Sequence, residues 1–163
     1  MAPSWFAGGV GIAAPASLCY VFRDPENQER TRKESIMVEI GIKGRLELVV
    51  SEEVTAKHIG SGTVLVLATP MMIALMEKTC RTSVKPYLDE GQETVGTHVN
   101  VSHDSAVPVG HKVWCESEVI GIDRRKITFR VAVYDGDTVV GQGTHERFII
   151  DEKKFGEKVG AKS

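Results

Sequence analysis

Thr69-Pro70-Met71-Met72-Ile73-Ala74-Leu75-Met76-Glu77 is the stretch on which the fold turns. Threonine is a good helix N-cap, because its hydroxyl accepts from an otherwise orphan backbone N–H. Proline suits the first helical position, where a missing N–H costs nothing. The pattern predicts a helix from Pro70 to about Val84 or Lys85, stopped by Pro86. Ala74, Lys78, Arg81 and Lys85 mark its wetter side; Met72, Ile73, Met76, Cys80 and Val84 mark its dry side.

Outward from the helix the chain reads mostly as strand. Ile36–Lys43 and Arg45–Val54 are rich in Val, Ile and Leu, with Gly41 and Gly44 as punctuation. A loop with His58, Gly60, Ser61 and Gly62 follows, then Thr63–Ala68, an apolar run that fits either type. After the loop PYLDEGQE, Val95–His103 alternates, with Val95, Thr97, Val99, Val101 and His103 on one face. Val113–Ile122 comes next, then Lys126–Tyr134, where Ile127, Phe129, Val131 and Val133 alternate. Asp135-Gly136 signals a tight hairpin whose two central positions need positive φ, and Thr138–Ile150 begins at once. A single helix with one dry side must be covered by a sheet face. The predicted class is α+β, an antiparallel β-sheet wrapped around one central α-helix over residues 36–155.

The two ends differ from this body. The chain up to Tyr20 is rich in Ala, Gly and Pro, and FRDPENQERTRKES after it is dense in charge. Neither has a sustained period, so 1–35 reads as a flexible N-terminal extension. Ala14-Pro15-Ala16 resembles a secretory cleavage site, but no Lys or Arg precedes Arg23, so the basic leader is missing. Met37 opens the patterned chain and is a candidate translation start. Residues 156–163 read as a polar C-terminal tail.

Size and charge narrow the function. At 163 residues the chain suits one domain. Twenty Lys and Arg against 22 Asp and Glu give no basic excess for nucleic acid. No stretch approaches the ~18 apolar residues of a membrane span. Cys19, Cys80 and Cys115 are odd in number and widely spaced, which excludes a paired-disulfide framework and a CxxC metal pair. The expectation is a soluble, reduced, cytoplasmic protein without a structural metal.

Glu77 shares a helix face with Ile73, Cys80 and Val84, where a carboxylate is costly unless paired or protonated. It is either a boundary residue that reaches solvent or a desolvated base or nucleophile with a raised pKa. Thr69 lies eight positions earlier, about 80° around and roughly 12 Å along the helix. It is a cap, or part of a site at a helix N-terminus able to steady an oxyanion. His103 reads as a rim residue or a catalyst. His145 and Arg147 share a strand face with Gly141 and Gly143, whose missing side chains allow close packing or a bound ligand. His98 and His103 point to opposite sides of their strand and make poor joint metal ligands. No phosphate loop, GxSxG elbow or HExxH motif occurs.

LATPMMIALME, VGTHVNVSHDSAVPVG and VYDGDTVVGQGTHERFII resemble the hotdog-fold acyl-CoA thioesterases, above all the fluoroacetyl-CoA thioesterase-like family. The resemblance covers about residues 37–155. It implies a homodimer with sites at the subunit interface, an acyl-CoA substrate, and no metal or redox cofactor. It places the catalytic threonine on Thr69, the glutamate on Glu77 and the histidine on His103. Gly96 is then the backbone N–H donor to the thioester carbonyl, and Arg147 the arginine of the GTHER segment, expected at the substrate. Glu77 would attack or activate water, and His103 would orient it or assist proton transfer. Where the fluoroacetyl enzyme carries lid phenylalanines this chain has HIGSGTVLVLAT, so fluoroacetate specificity is not implied. The expected activity is hydrolysis of a short acyl-CoA to the acid and CoA. Its rivals are a non-catalytic acyl-CoA or small-ligand binding module and a hydroxyacyl-thioester dehydratase. The dehydratase would place His and Asp near the helix start, a pattern not seen.

Overall fold

The structure, a computed structural model, describes residues 37–161. The reading of 1–35 as a flexible extension lies outside them. Five strands form one antiparallel sheet: β1 (Lys43–Val49), β2 (Gln92–Val101), β3 (Lys112–Asp123), β4 (Lys126–Asp135) and β5 (Thr138–Asp151). Their spatial order is β1-β3-β4-β5-β2, which leaves β1 and β2 as the edges among the described residues. The helices are α1 (Ala56–Ile59), α2 (Thr69–Val84) and α3 (Glu152–Gly160).

Helix α2 is the one long helix among the described residues, and it packs on β1, β3 and β4. Met72, Leu75, Met76, Thr79, Cys80 and Val84 are its buried residues. Against them lie Val113, Cys115 and Val119 of β3 and Ile127, Phe129, Val131 and Val133 of β4, each at most 1% exposed. Removing this apolar surface from water is what holds the sheet around the helix. This is the hotdog arrangement that the resemblance implied.

Several local expectations are corrected. Thr69 does not cap the helix: Ala68 is the N-cap, and Thr69 is the first helical residue. Gly44 is no break but sits inside β1, where a Cβ would come within 2.6 Å of the Ser83 Cβ and 2.8 Å of the Ser117 hydroxyl. The described residues before Lys43 turn at Ile40-Gly41 instead of forming a strand. The β4–β5 hairpin closes through Gly136 and Asp137, and only Gly136 has positive φ, at 58°. The expected polar tail overlaps α3, which Asp151 caps by accepting from the Lys154 N–H.

Strand β2 departs most from its expected pattern. It ends at Val101, so His103 stands in the loop beyond it. A bulge between Gly96 and His98 also shifts its register on β5. Gly96 lies opposite Arg147, but Val99, not His98, lies opposite His145. An extra residue in one strand reverses the alternation beyond it. Even-numbered Thr94 and Gly96 therefore share the inner face with odd-numbered Val99 and Val101.

Candidate active site

Two clusters of polar side chains flank α2. At its first turn the Thr69 hydroxyl lies 2.8 Å from Nδ1 of His103. Because Thr69 does not cap the helix, its hydroxyl is free for this bond. Nε2 of His103 is buried and has no hydrogen-bond partner among the described residues. A cavity of about 240 Å³ opens beside the pair, between Ala56, Ser61, Thr69, His103 and Ala106.

Two turns further along, Glu77 faces the β2–β5 ladder. Its Oε1 is 3.6 Å from Nε2 of His145 and 4.0 Å from Nη1 of Arg147. A Cβ placed on Gly96 would collide with that same carboxylate oxygen. Gly96 thus lets the strand backbone come right up to Glu77. The Glu77 side chain remains 42% exposed, so the expected desolvation among apolar neighbours is not found in the single chain.

Beneath Glu77 the polar groups are buried. Arg147 donates from Nε to the Thr94 hydroxyl at 2.8 Å and from Nη2 to the Thr94 carbonyl at 2.6 Å. Its Nη1 lies 3.2 Å from Nε2 of His145. Burial lowers the Arg147 pKa, while the Glu77 carboxylate works the other way. His145 in turn lies 2.9 Å, through Nδ1, from the His98 carbonyl. Burial lowers the His145 pKa too, and the bond to the His98 carbonyl only partly offsets it.

These partners fix the ring's tautomer. A carbonyl can only accept, so Nδ1 of His145 carries the hydrogen; a guanidinium can only donate, so Nε2 offers its lone pair. His145 is therefore an acceptor toward Arg147, and the positive charge that faces Glu77 belongs to Arg147.

The five residues singled out from the sequence fall into these two places. Thr69 and His103 meet each other, and Glu77, Gly96 and Arg147 meet each other. His103 is bonded to Thr69, not to Glu77. Reading the sequence missed His145 as a partner of Glu77 and Thr94 as the anchor of Arg147. The alternation of GTHER did place His145 and Arg147 on one face. The glycines beside them serve close packing: a Cβ on Gly141 would come within 2.8 Å of the Met72 sulfur, and one on Gly143 would strike the Asn100 carbonyl.

Comparison with known proteins bears on this arrangement. The family described as fluoroacetyl-CoA-specific thioesterase matches residues 50–153. A fluoroacetyl-CoA thioesterase from Streptantibioticus cattleyicolor is 39% identical over 98 residues, covering 60% of this chain and 70% of that protein. A structure of the fluoroacetyl-CoA thioesterase FlK, a threonine-to-serine mutant in complex with acetyl-CoA, superposes with a TM-score of 0.74 at 32% identity, covering 77% of this chain and 99% of that one. A thioesterase superfamily member from Thermus thermophilus gives a TM-score of 0.71 at 26% identity over 76% of this chain and 92% of its own.

Proposed function

The chain belongs to the family of fluoroacetyl-CoA-specific thioesterases and is an acyl-CoA thioester hydrolase, and on that premise we propose that Glu77 carries the hydrolysis of a short acyl-CoA to the free acid and CoA. The observation that supports this most is the approach of the Gly96 backbone to the Glu77 carboxylate, with Arg147 4.0 Å away. A thioester carbonyl seated there meets the Glu77 carboxylate on one side and the Gly96 backbone on the other.

Glu77 either attacks the carbonyl carbon, expelling the CoA thiolate and leaving a mixed anhydride that water then opens to the free acid, or takes a proton from the water that attacks. The Gly96 N–H steadies the oxyanion as it forms. Arg147 supplies the positive charge that faces Glu77; with three of its N–H groups directed at Thr94 and His145, it acts on the carboxylate more than on the substrate. Thr69 and His103 line the neighbouring cavity; brought to Glu77 from the second subunit, the hydroxyl would orient the substrate and the ring would assist proton transfer to the leaving thiolate.

The working unit is a homodimer. Strand β2 is a sheet edge, and Thr97, His98, Val99 and Asn100 on it are all exposed. An open edge is a template for a second strand. A second copy paired there would cover Glu77 and reach toward the unpartnered Nε2 of His103. The free, buried thiols of Cys80 and Cys115 fit a reducing, cytoplasmic setting. Among the described residues no helix is long and apolar enough to cross a membrane.

The acyl group is short but not restricted to fluoroacetyl, because the segment before α2 carries small residues such as Gly60, Ser61 and Gly62 where a lid would stand. Free-thiol release from a panel of acetyl-, fluoroacetyl-, propionyl- and longer acyl-CoAs tests this. Release from several short members is expected. Binding of those thioesters without release would establish the binding-module alternative.

A further inference from the structure

The buried network under Glu77 contains a histidine that cannot act as an acid or base while its bonds hold. We propose that His145 is a positioning residue for Glu77: as a neutral ring locked in the Nδ1–H form, it joins the His98 carbonyl at the β2 bulge to Nη1 of Arg147. In this way it fixes both the Arg147 charge and the Gly96 backbone against the Glu77 carboxylate. The inference rests on the thioesterase reading of the same site and adds a residue to it.

Three observations carry it. Gly96, opposite Arg147, is the last inward-facing residue before the bulge, and the His98 carbonyl at the far end of the bulge is held by the His145 ring at 2.9 Å. The ring is 1% exposed, and its Cε1 would lie 3.1 Å from a Cβ on Gly96, so it packs directly under the backbone that meets Glu77. Its Nε2 takes a hydrogen bond from Nη1, the same Arg147 nitrogen that lies 4.0 Å from Glu77. Bulge, ring, guanidinium and carboxylate form one chain of contacts. The charged groups around the ring are Glu77 from α2, and Arg147 and Glu146 from its own strand; β4 presents Phe129 opposite it. Arg147 and burial oppose a second proton on the ring, and the two carboxylates favour one.

The chemistry separates the two ring nitrogens. In His145→Gln the side-chain oxygen can reach the place of Nε2 and accept from Arg147. In His145→Phe both bonds are lost while the ring's bulk remains. Misplacing a catalytic group by about 1 Å can cost up to about 10²-fold. His145→Phe should lower kcat for acetyl-CoA by about tenfold or more with KM within about threefold, and His145→Gln should recover most of that loss. A folded His145→Phe protein with kcat within about twofold of the parent would overturn the proposal, as would a loss confined to KM.

Imidazole nitrogen NMR on the full-length, unmodified protein decides the tautomer without any assay and without requiring a variant to fold. A neutral Nδ1–H signature for His145 at neutral pH is expected, with protonation only at lower pH than for an exposed histidine; an Nε2–H or imidazolium signature at neutral pH would overturn the proposal. If the parent hydrolyses no acyl-CoA, the thioesterase reading falls while the NMR result still settles the ring's locked state.

Discussion

At the scale of single residues, Glu77 matters for what lies around it. Its side chain is 42% open to solvent, and the Arg147 guanidinium 4.0 Å beneath it is buried. Gly96 matters for what it lacks. Gly96→Ala should cut turnover by at least about tenfold by pushing the carboxylate aside. Its melting temperature should fall only modestly, because the group displaced outright is the tip of a side chain and the His145 ring, 3.1 Å from the added Cβ, must give by only a few tenths of an ångström; steady-state kinetics and a thermal melt check the pair of outcomes. Thr69→Val gives the converse test of the helix start. Losing a true cap costs about 1 kcal/mol, whereas Thr69 bonds to His103 and caps nothing. The variant should melt near the parent temperature and lose activity. Glu77 was legible from its apolar helix neighbours, and His103 and Thr69 from the motif spacing. His145 was not, because its role depends on the His98 carbonyl, and nothing in residue order says where a backbone oxygen points.

At the scale of elements, one bulge and one ion-pair cluster decide how β2 meets the rest. Strict alternation put Val95, Thr97, Val99, Val101 and His103 on one face, but Thr97 is an extra residue that separates Val95 from Val99 and Val101, and alternation alone does not mark a bulge. The paired strand carries the compensating signal at Gly143, whose φ is 156° and whose missing Cβ makes room for the Asn100 carbonyl. Gly143→Ala should destabilise the fold by more than about 2 kcal/mol, as forced backbone overlap does, measured by denaturant unfolding. At the start of β2, Glu93 pairs with Arg81 at 2.6 Å and Lys85 at 3.2 Å, tying the strand to the end of α2. Burial works against its ionisation, but hydrogen bonds from Arg81, the Thr94 N–H and Lys85 outweigh that and hold its pKa at about 2, below the ordinary 4.5. A carboxyl with a depressed folded value stabilises fully above its unfolded value, and that contribution is lost as pH falls from about 4.5 toward 2. Glu93→Gln should be less stable than the parent at pH 7 and should lose less stability across that acid range, which melts at stepped pH would show. The helix itself was plain in the sequence, because Pro70, the apolar spacing and Pro86 agree with one another.

At the scale of the whole molecule, the fold divides the site. Thr69 with His103 and Glu77 with Gly96 and Arg147 sit about two helical turns apart on α2, roughly 12 Å, both within reach of the open β2 side. That division is why the sequence, which lists both sets, did not show that they form two clusters in one chain. Pairing of two β2 edges accounts for both openings at once. Light scattering at micromolar concentration should give twice the mass of the 17.8 kDa chain; a monomer mass would leave the edge open and the dimer proposal without support. The central claim, thioester hydrolysis through Glu77, is tested most directly by thiol release from acetyl-CoA at neutral pH with the parent and with Glu77→Gln, alongside a thermal melt of each. The account predicts a turnover loss of about 10²-fold or more in a variant that remains folded. Near-parent turnover in the folded variant would contradict it.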